Sequence, residues 1–504
     1  MQARLGHWAV RTAIPCTLVG GAAWAWDRWY GARVLSRSTR AIWAAGQLAL
    51  DYKWNFQADR SADALSALHR RAAERILHVC QRNGGLYTKF GQALALQSAL
   101  LPPEYNKVMQ VLLDDAPFSS YTEVERIIVD ELGDSPKKLF RTFEEEPVAS
   151  ASIAQVHRAT LHDGTAVAVK VQKPEIPRQI EWDLRVHTLL MKFFEWAFDL
   201  PITWAGAFVQ EHLRQEIDFV REARNAQRCA QAIADEPRLR DDVHVPFVFT
   251  DYSGKRVLTC EWMDGRRLAD VDALKAMGYN MTEIMKTMVD LFAYQIFVTG
   301  FVHCDPHPGN LLVRPHPDGP ARRPQLVLLD HGLYLQCREH FRREHCQLWK
   351  SLFTNDHHRL TEICHQWGIR EVGMFASATL MRPYQQGQSA AALSTPVSAQ
   401  DVYSMQLQAK ERARGFLMSE QQFPRELILV ARNMNMIRAY NQALGSPVNR
   451  IGRMADWAVR GLGADWDEWP AGSSATATGS SDMVDARAAH ASAAATGGRY
   501  LRAY

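Results

Sequence analysis

No C-x-x-C pair occurs among the cysteines at 16, 80, 229, 260, 304, 337, 346 and 364, which are scattered along the chain. That spacing writes neither a disulfide framework nor a zinc ribbon, so thiols in a reducing compartment are expected. Net charge is equally spare. Lys and Arg number 58 and Asp and Glu 55, leaving +3 over 504 residues, so nothing calls for nucleic acid as a partner, which would need a concentrated basic face. An uncharged run of spanning length is missing too. Thr12–Trp26 (TAIPCTLVGGAAWAW) covers 15 residues, short of the roughly 20 that cross a bilayer as a helix. Three readings fit it: part of an organelle-targeting sequence, a short anchor, or a buried helix. Arg4, Arg11, Arg28, Arg33, Arg37 and Arg40 flank it with few acids, which favours a targeting or membrane-anchor segment over residues 1–40.

What is present is the composition of a folded protein, 47% hydrophobic and 22% charged, in a chain too long for one compact domain. From about Ala41 to Leu113 the texture is helical, interrupted at RNGG (Arg82–Gly85) and LPPE (Leu101–Glu104), where Gly and Pro end helices. Ser120 and Glu123 form a plausible capping box for the next helix. Val148–Gln172 then alternates apolar and small or polar residues on both sides of an Asp-Gly turn, the signature of a β-hairpin. A helical stretch (about Ile180–Ile233), strands at VPFVFTDY and RVLTCEWM, a helix over Met281–Thr299 and short strands at Leu311–Val313 and Gln325–Asp330 follow, with helices to about Gly463. Residues 466–504, rich in Ala, Gly and Ser without an apolar period, read as a disordered tail.

The chemistry sits in four places. Ala149, Ala151, Ala154 and Val156 fit the spacing G-x-G-x-x-G-x-V with alanine for every glycine; a loop covering phosphates needs such small residues, Ser152 among them, though small residues in a strand turn are common. In TAVAVKVQ, Val167, Val169 and Val171 point one way and Ala168 and Lys170 the other. An inward lysine is costly unless paired; it is either an edge-strand lysine reaching water or one aimed at phosphates, with room for an adenine over Ala168. In GFVHCDPHPGNLLV, Asp305 and Asn310 keep the D-x-x-x-x-N interval of a phosphotransferase loop, and Asp330 opens DHG where a metal-binding D-F-G would lie. Two hard oxygen donors suit Mg²⁺. Zinc would need His303, Cys304 and His307 to converge, against Pro306 and Pro308; His303 is expected to brace the loop and His307 to help place a phosphate. Glu216, Asp218 and Glu222 are expected on one helix, the last two sharing a face, as partners for the lysine or as solvated charges.

KFGQ (Lys89–Gln92), ASASIAQVH, AVK, EIDFVRE, HCDPHPGN and LLDHG together resemble the UbiB or aarF-domain atypical kinases, above all the mitochondrial branch whose motif reads H-C-D-P-H-P-G-N. The likeness runs from about Tyr52 to Tyr440. It implies an α+β, two-lobed protein-kinase-like fold with an N-terminal helical K-x-G-Q extension. The extension would span 41–145, the small lobe with inserted helices 146–264 and the helical lobe 265–465. It implies catalysis by Asp305 and Lys170, a Lys170–Glu222 pair, Mg²⁺ on Asn310 and Asp330, and Lys89 and Gln92 reaching into the site near Glu216 and Asp218. ATP or ADP is the implied nucleotide, and the implied setting is lipid or ubiquinone metabolism at the mitochondrial inner membrane, with lipid, isoprenoid or inner-membrane proteins as partners. Two departures stand out. Ser150 and Ala154 replace an alanine and a glycine of the family's loop, and His331 replaces the apolar residue of D-F-G. Two further readings stay open: a small-molecule phosphotransferase, and a nucleotide-gated scaffold without turnover.

Overall fold

Alternation of period two builds the centre of the small lobe. In the computed structural model, β3 (Ala154–Thr160) and β4 (Ala166–Gln172) form an antiparallel hairpin flanked by β1 (Thr142–Phe143), β2 (Ala149–Ser150) and β6 (Val257–Glu261), in the order β1-β3-β4-β6 with β2 also on β3. The structure describes residues 21–463 except 23, 29–30, 58–59, 96–100, 114–117, 200–202, 320–322, 381 and 385–422. The tail expected over 466–504, and residues 1–20 of the expected targeting segment, lie outside the described residues. No helix among the described residues is long and apolar enough to cross a membrane.

Val167, Val169 and Val171 are fully buried against Val124, Ile127 and Ile128 of an amphipathic helix, Tyr121–Leu132, which Ser120 and Glu123 open with the expected capping box. Each such valine contributes roughly 1.5–3 kcal/mol, and a one-residue slip of β4 would drive Lys170 into this core. Register is thereby fixed, and Lys170 faces the cleft.

The extension consists of α1 (Val34–Asn55), α2 (Ala62–Asn83), α3 (Gly85–Ala95) and α4 (Pro103–Met109). Its α2–α3 break falls at Gly84 and Gly85, both in the left-handed region (φ 64° and 53°), where a side chain would be strained. Numbering on past the capped helix as α5, α6 is Ile176–Phe198, α7 Thr203–Gln215 and α8 Phe219–Ala234. Two expectations need correction here. The acids do not share one helix: α7 ends at Gln215, Glu216 lies in the turn, and Asp218 is the N-cap of α8, accepting from Val220 N (3.1 Å) and Arg221 N (3.4 Å). Of the three, Glu222 alone lies within a helix, in the first turn of α8. VPFVFTDY is not a strand either; it makes a single bridge, Val248 to Cys260, before a 3₁₀ turn at Thr250–Tyr252. Pro246 lacks the N–H that a ladder position needs.

The larger lobe is built on α9 (Met281–Tyr294), which continues as a π turn over Gln295–Thr299 until Gly300 (φ 63°) stops it. Next come β8 (Phe301–His303), β9 (Leu311–Pro315), β10 (Pro324–Leu328) and β11 (Tyr334–Gln336). One sheet runs β5-β10-β9-β7, where β5 is Val243–His244, parallel to β10, and β7 is Arg266–Arg267. β8 and β11 pair antiparallel, bringing the Asp305 loop beside the Asp330 loop. Helices α10 (Glu339–Thr354), α11 (His357–Gln366), α12 (Val372–Leu380), α13 (Glu426–Ala443) and α14 (Arg450–Leu462) complete the core around Phe292, Phe297, Trp349 and Trp457. This is the α+β, two-lobed kinase-like architecture with a helical extension.

Candidate active site

Elements of the small lobe, the larger lobe and the extension deliver charged side chains to one cleft. β4 supplies Lys170, whose Nζ lies 2.6 Å from Glu222 Oε1 on α8 and 3.9 Å from Asp330 Oδ2. Burial alone would pull the Lys170 ammonium down; Asp330 and Glu222 outweigh it and hold it above its ordinary value. At Glu222 burial pushes the carboxyl up and Lys170 pulls it back, burial being the larger effect. Helix α8 is itself tied to the Asp330 loop, because Asn225 Nδ2 donates to the His331 carbonyl at 3.0 Å.

Asp330 follows β10. Its Oδ1 accepts from Gly332 N at 2.8 Å, and burial is overcome by Lys170 and Lys89, which hold the carboxyl far below the usual carboxylate range. Asp305 follows β8. Burial is again overcome, here by Arg432 and Lys89, so Asp305 is also held low. His303 joins the two loops: Nε2–H donates to the Asp330 carbonyl (2.8 Å), and Nδ1 accepts from Asp305 N (3.0 Å). Both ring nitrogens are therefore spent, and Cys304 is buried with its thiol toward the Val302 carbonyl, so the donor atoms that zinc would require point apart. His307 Nδ1 accepts from Gly309 N (3.0 Å), leaving Nε2 for another partner. Asn310 follows on the same turn, its Nδ2 3.4 Å from the Asp305 carbonyl.

His331 in place of an apolar residue has a simple account. It is buried, donates from Nε2 to the Leu328 carbonyl (3.1 Å), accepts at Nδ1 from the Tyr334 hydroxyl (3.0 Å) and stacks on that ring. Burial pushes its pKa down to about 3, so it packs as a neutral ring.

From the extension, Lys89 on α3 reaches Glu216 Oε2 at 2.6 Å. Its ammonium is held above the ordinary value against burial by Glu216, Asp330 and Asp305. Gln92 differs from expectation: its Nε2 donates to the Leu112 carbonyl (2.8 Å), a bond made inside the extension. Asp218 is spent as a helix cap.

In the small loop Ala149 pairs with Val156 and Ser150 with Gln155, and Ala151 N donates to the Ala154 carbonyl (2.7 Å). Ser152 and Ala154 are buried. Ala168 lies opposite Cys260 of β6 with its side chain on the Lys170 side of the strand.

Three side chains of this site carry no motif in the sequence. Arg432 on α13 places Nη2 2.9 Å from Asp305 Oδ1. Asn433 beside it, wholly buried, donates to the His303 carbonyl at 2.5 Å. Lys173, buried, donates to the Ala151 carbonyl at 2.7 Å and pins the small loop. The one signal for Lys173 is its position immediately after the strand that carries Lys170.

The described residues thus bring together Lys170, Glu222, Asp330, Asp305, Asn310, Lys89 and Glu216, and leave Gln92 and Asp218 in supporting bonds. Carboxylate and amide oxygens on adjacent loops are the hard donor set of Mg²⁺, and Asp330 keeps Oδ2 3.9 Å from the nearest ammonium rather than locked in a short pair.

The ABC1 atypical kinase-like domain matches residues 111–364 of this chain. An ABC1 family protein of Purpureocillium lilacinum is 39% identical over 472 residues, 87% of this chain and 79% of that protein. An ABC1 family protein of Schizosaccharomyces pombe is 38% identical over 437 residues, covering 86% and 81% of the two chains. AarF domain-containing protein kinase 1 of Xenopus laevis is 33% identical over 382 residues, covering 76% and 72%. The matched domain contains Lys170, Glu222, Asp305, Asn310 and Asp330, begins after Lys89 and ends before Arg432.

Proposed function

Because the chain belongs to the ABC1 atypical kinase-like family, we propose that it binds ATP or ADP with Mg²⁺ between its lobes and acts as an ATPase or kinase. The observation that carries this reading is the approach of Lys170, Glu222 and Asp330 from three separate elements. Lys170, held charged and oriented by Glu222, binds nucleotide phosphate. Asn310 and Asp330 would hold Mg²⁺, which when bound neutralises charge on the phosphate oxygens. Asp305, ionised at neutral pH and steered by Arg432, orients the attacking hydroxyl or water and takes its proton. The alanine loop, pinned by Lys173, covers the phosphates with a less permissive backbone than glycine would give.

The acceptor in this reading is small, or is water. Lys89 on α3 reaches Glu216 across the cleft, and an extension so placed leaves little room for a peptide groove. The proposed setting is mitochondrial, associated with the inner membrane, where the protein supports lipid or ubiquinone homeostasis and meets lipid, isoprenoid or membrane-protein partners.

The test is nucleotide binding and ATP turnover with and without Mg²⁺, wild type beside Asp330→Asn. Mg²⁺-dependent binding and turnover, both lost in the variant, are the expected result. Mg²⁺-dependent binding unchanged in Asp330→Asn contradicts the assignment, and binding without any turnover in the wild type favours the scaffold.

A further inference from the structure

Helix α1 packs its inner side on α2 and α6 and turns an outer stripe to solvent. Leu35, Ile42, Trp43, Leu50 and Trp54 follow one another along that stripe at helical spacing, Trp43 and Trp54 being 71% and 67% exposed. Helix α6 repeats the pattern with Trp182, Leu189 and Trp196, the last 78% exposed. The two helices run side by side in the same direction. Arg37 pairs with Asp183 toward their starts, and Lys53 Nζ sits 5.4 Å above the Trp196 ring toward their ends. The stripes therefore join into one surface. Single exposed apolar residues need no explanation, but a contiguous aromatic face does.

Its charges are arranged as unevenly as its rings. Three acids of these two helices are held by arginines: Asp51 by Arg71 (3.1 Å) and Arg75, Glu181 by Arg214 (3.1 Å), and, beneath the face, buried Asp183 by Arg37; Glu195 accepts from Thr203 N (3.0 Å). Lys53, Arg178, Arg185 and Lys192 lie on or beside the same stripes, and among the described residues none has a carboxylate within ion-pair distance. Arg185 lies 5.1 Å over the Trp182 ring, an indole with a long cationic chain beside it, which suits a bilayer interface. Upstream, residues 1–40 hold six arginines and one acid, Asp27, and the uncharged run Thr12–Trp26 ends on Trp24 and Trp26 just before α1, both more than half exposed.

We propose that the joined face of α1 and α6 docks this protein on an anionic lipid bilayer. The indoles of Trp43, Trp54, Trp182 and Trp196 lie at the boundary of headgroups and acyl chains, and Lys53, Arg178, Arg185 and Lys192 lie among the lipid phosphates. This deepens the membrane part of the proposal above and is independent of its nucleotide chemistry.

The test uses the full chain with vesicles of phosphatidylcholine alone or mixed with phosphatidylglycerol, read by flotation and by quenching of tryptophan fluorescence with brominated acyl chains. A variant with all four tryptophans changed to serine is compared with one in which they are phenylalanine. Lipid-free ADP binding with Mg²⁺ and thermal unfolding of each variant report the fold and the nucleotide reading separately. Wild type is expected to float with the mixed vesicles more than with the neutral ones and to be quenched. The serine variant should bind roughly tenfold more weakly or worse, and the phenylalanine variant should float while losing most of the quenching. A wild type that ignores both vesicles overturns the proposal. So does a phenylalanine variant that floats with quenching undiminished, which would put the membrane contact elsewhere. A lipid-free dimer that the serine changes disperse, without vesicle binding by the wild type, would assign the face to a second copy instead.

Discussion

Lys170→Met separates this site from a surface salt bridge. Glu222 is 2% exposed and Lys170 17%, so removing the ammonium leaves a carboxylate buried with its closest cation gone, a change that costs about 3–5 kcal/mol in comparable pairs. Protonation caps that cost. The free energy of placing a proton on a carboxyl with an unfolded pKa near 4.3 is about 4 kcal/mol at pH 7.5 and about 1.6 kcal/mol at pH 5.5. Burial already pushes the Glu222 carboxyl up, and Lys170 is the group that opposes it. In the variant the folded pKa rises further above the unfolded one. Its deficit is then fully present above the folded pKa, shrinks as pH falls through it, and is smallest below the unfolded value. Urea unfolding followed by fluorescence at the two pH values reads this directly. The expected loss is about 3–4 kcal/mol at pH 7.5 and under about 2 kcal/mol at pH 5.5. Lys170→Met/Glu222→Leu should recover most of the stability while nucleotide binding stays lost. An equal loss at both pH values, or strictly additive single changes, would refute the buried pair as the cause.

Arg432→Met should lower turnover about tenfold or more with nucleotide affinity little changed. It should also move the acidic limb of the rate profile to higher pH, because Arg432 is the main group that overcomes burial in holding Asp305 low. A pH–rate profile beside equilibrium binding separates the two effects. His331→Phe should keep Mg²⁺-nucleotide binding and lose about 1–2 kcal/mol by denaturation, the worth of two hydrogen bonds on a neutral buried ring. Gly91→Ala in α3 would set a methyl against the Leu112 side chain and 2.9 Å from Cys80 Sγ. A melting curve and limited proteolysis should show overpacking of about 1–3 kcal/mol confined to the extension, with the Lys89–Glu216 contact weakened.

How far the site was legible depends on how far apart in sequence its parts lie. The β3–β4 hairpin was readable because side chains alternate with period two, and the same alternation set Val167, Val169 and Val171 in the core and Lys170 in the cleft. Asp305, Asn310 and Asp330 are readable because they keep fixed short intervals on two loops. The acids 216, 218 and 222 read as one helix in the sequence because helical periodicity ignores caps: Asp218 bonds the backbone of Val220 and Arg221, so the helix starts there rather than running through. Gln92 was expected in the cleft on a motif alone, whereas the packing of α3 on the 3₁₀ turn at Gln110–Leu113 gives its amide a nearer carbonyl.

Arg432 marks the boundary of such reading most sharply. It stands 127 residues after its partner Asp305 in a helix without a motif, and only the folding of α13 across the back of the Asp305 loop brings them together. Asn433 beside it bonds the His303 carbonyl, and His303 in turn holds both aspartate loops. The Asp305 and Asp330 loops are thus positioned from behind by one histidine and by two adjacent residues of a distant helix. The residues proposed to meet phosphate keep the short intervals of a phosphotransferase loop, whereas those that hold them have spacings set by the lobe's own packing. The supporting half of this site is therefore visible only in three dimensions, and Arg432→Met distinguishes the two halves by altering turnover and its pH limb while sparing nucleotide affinity.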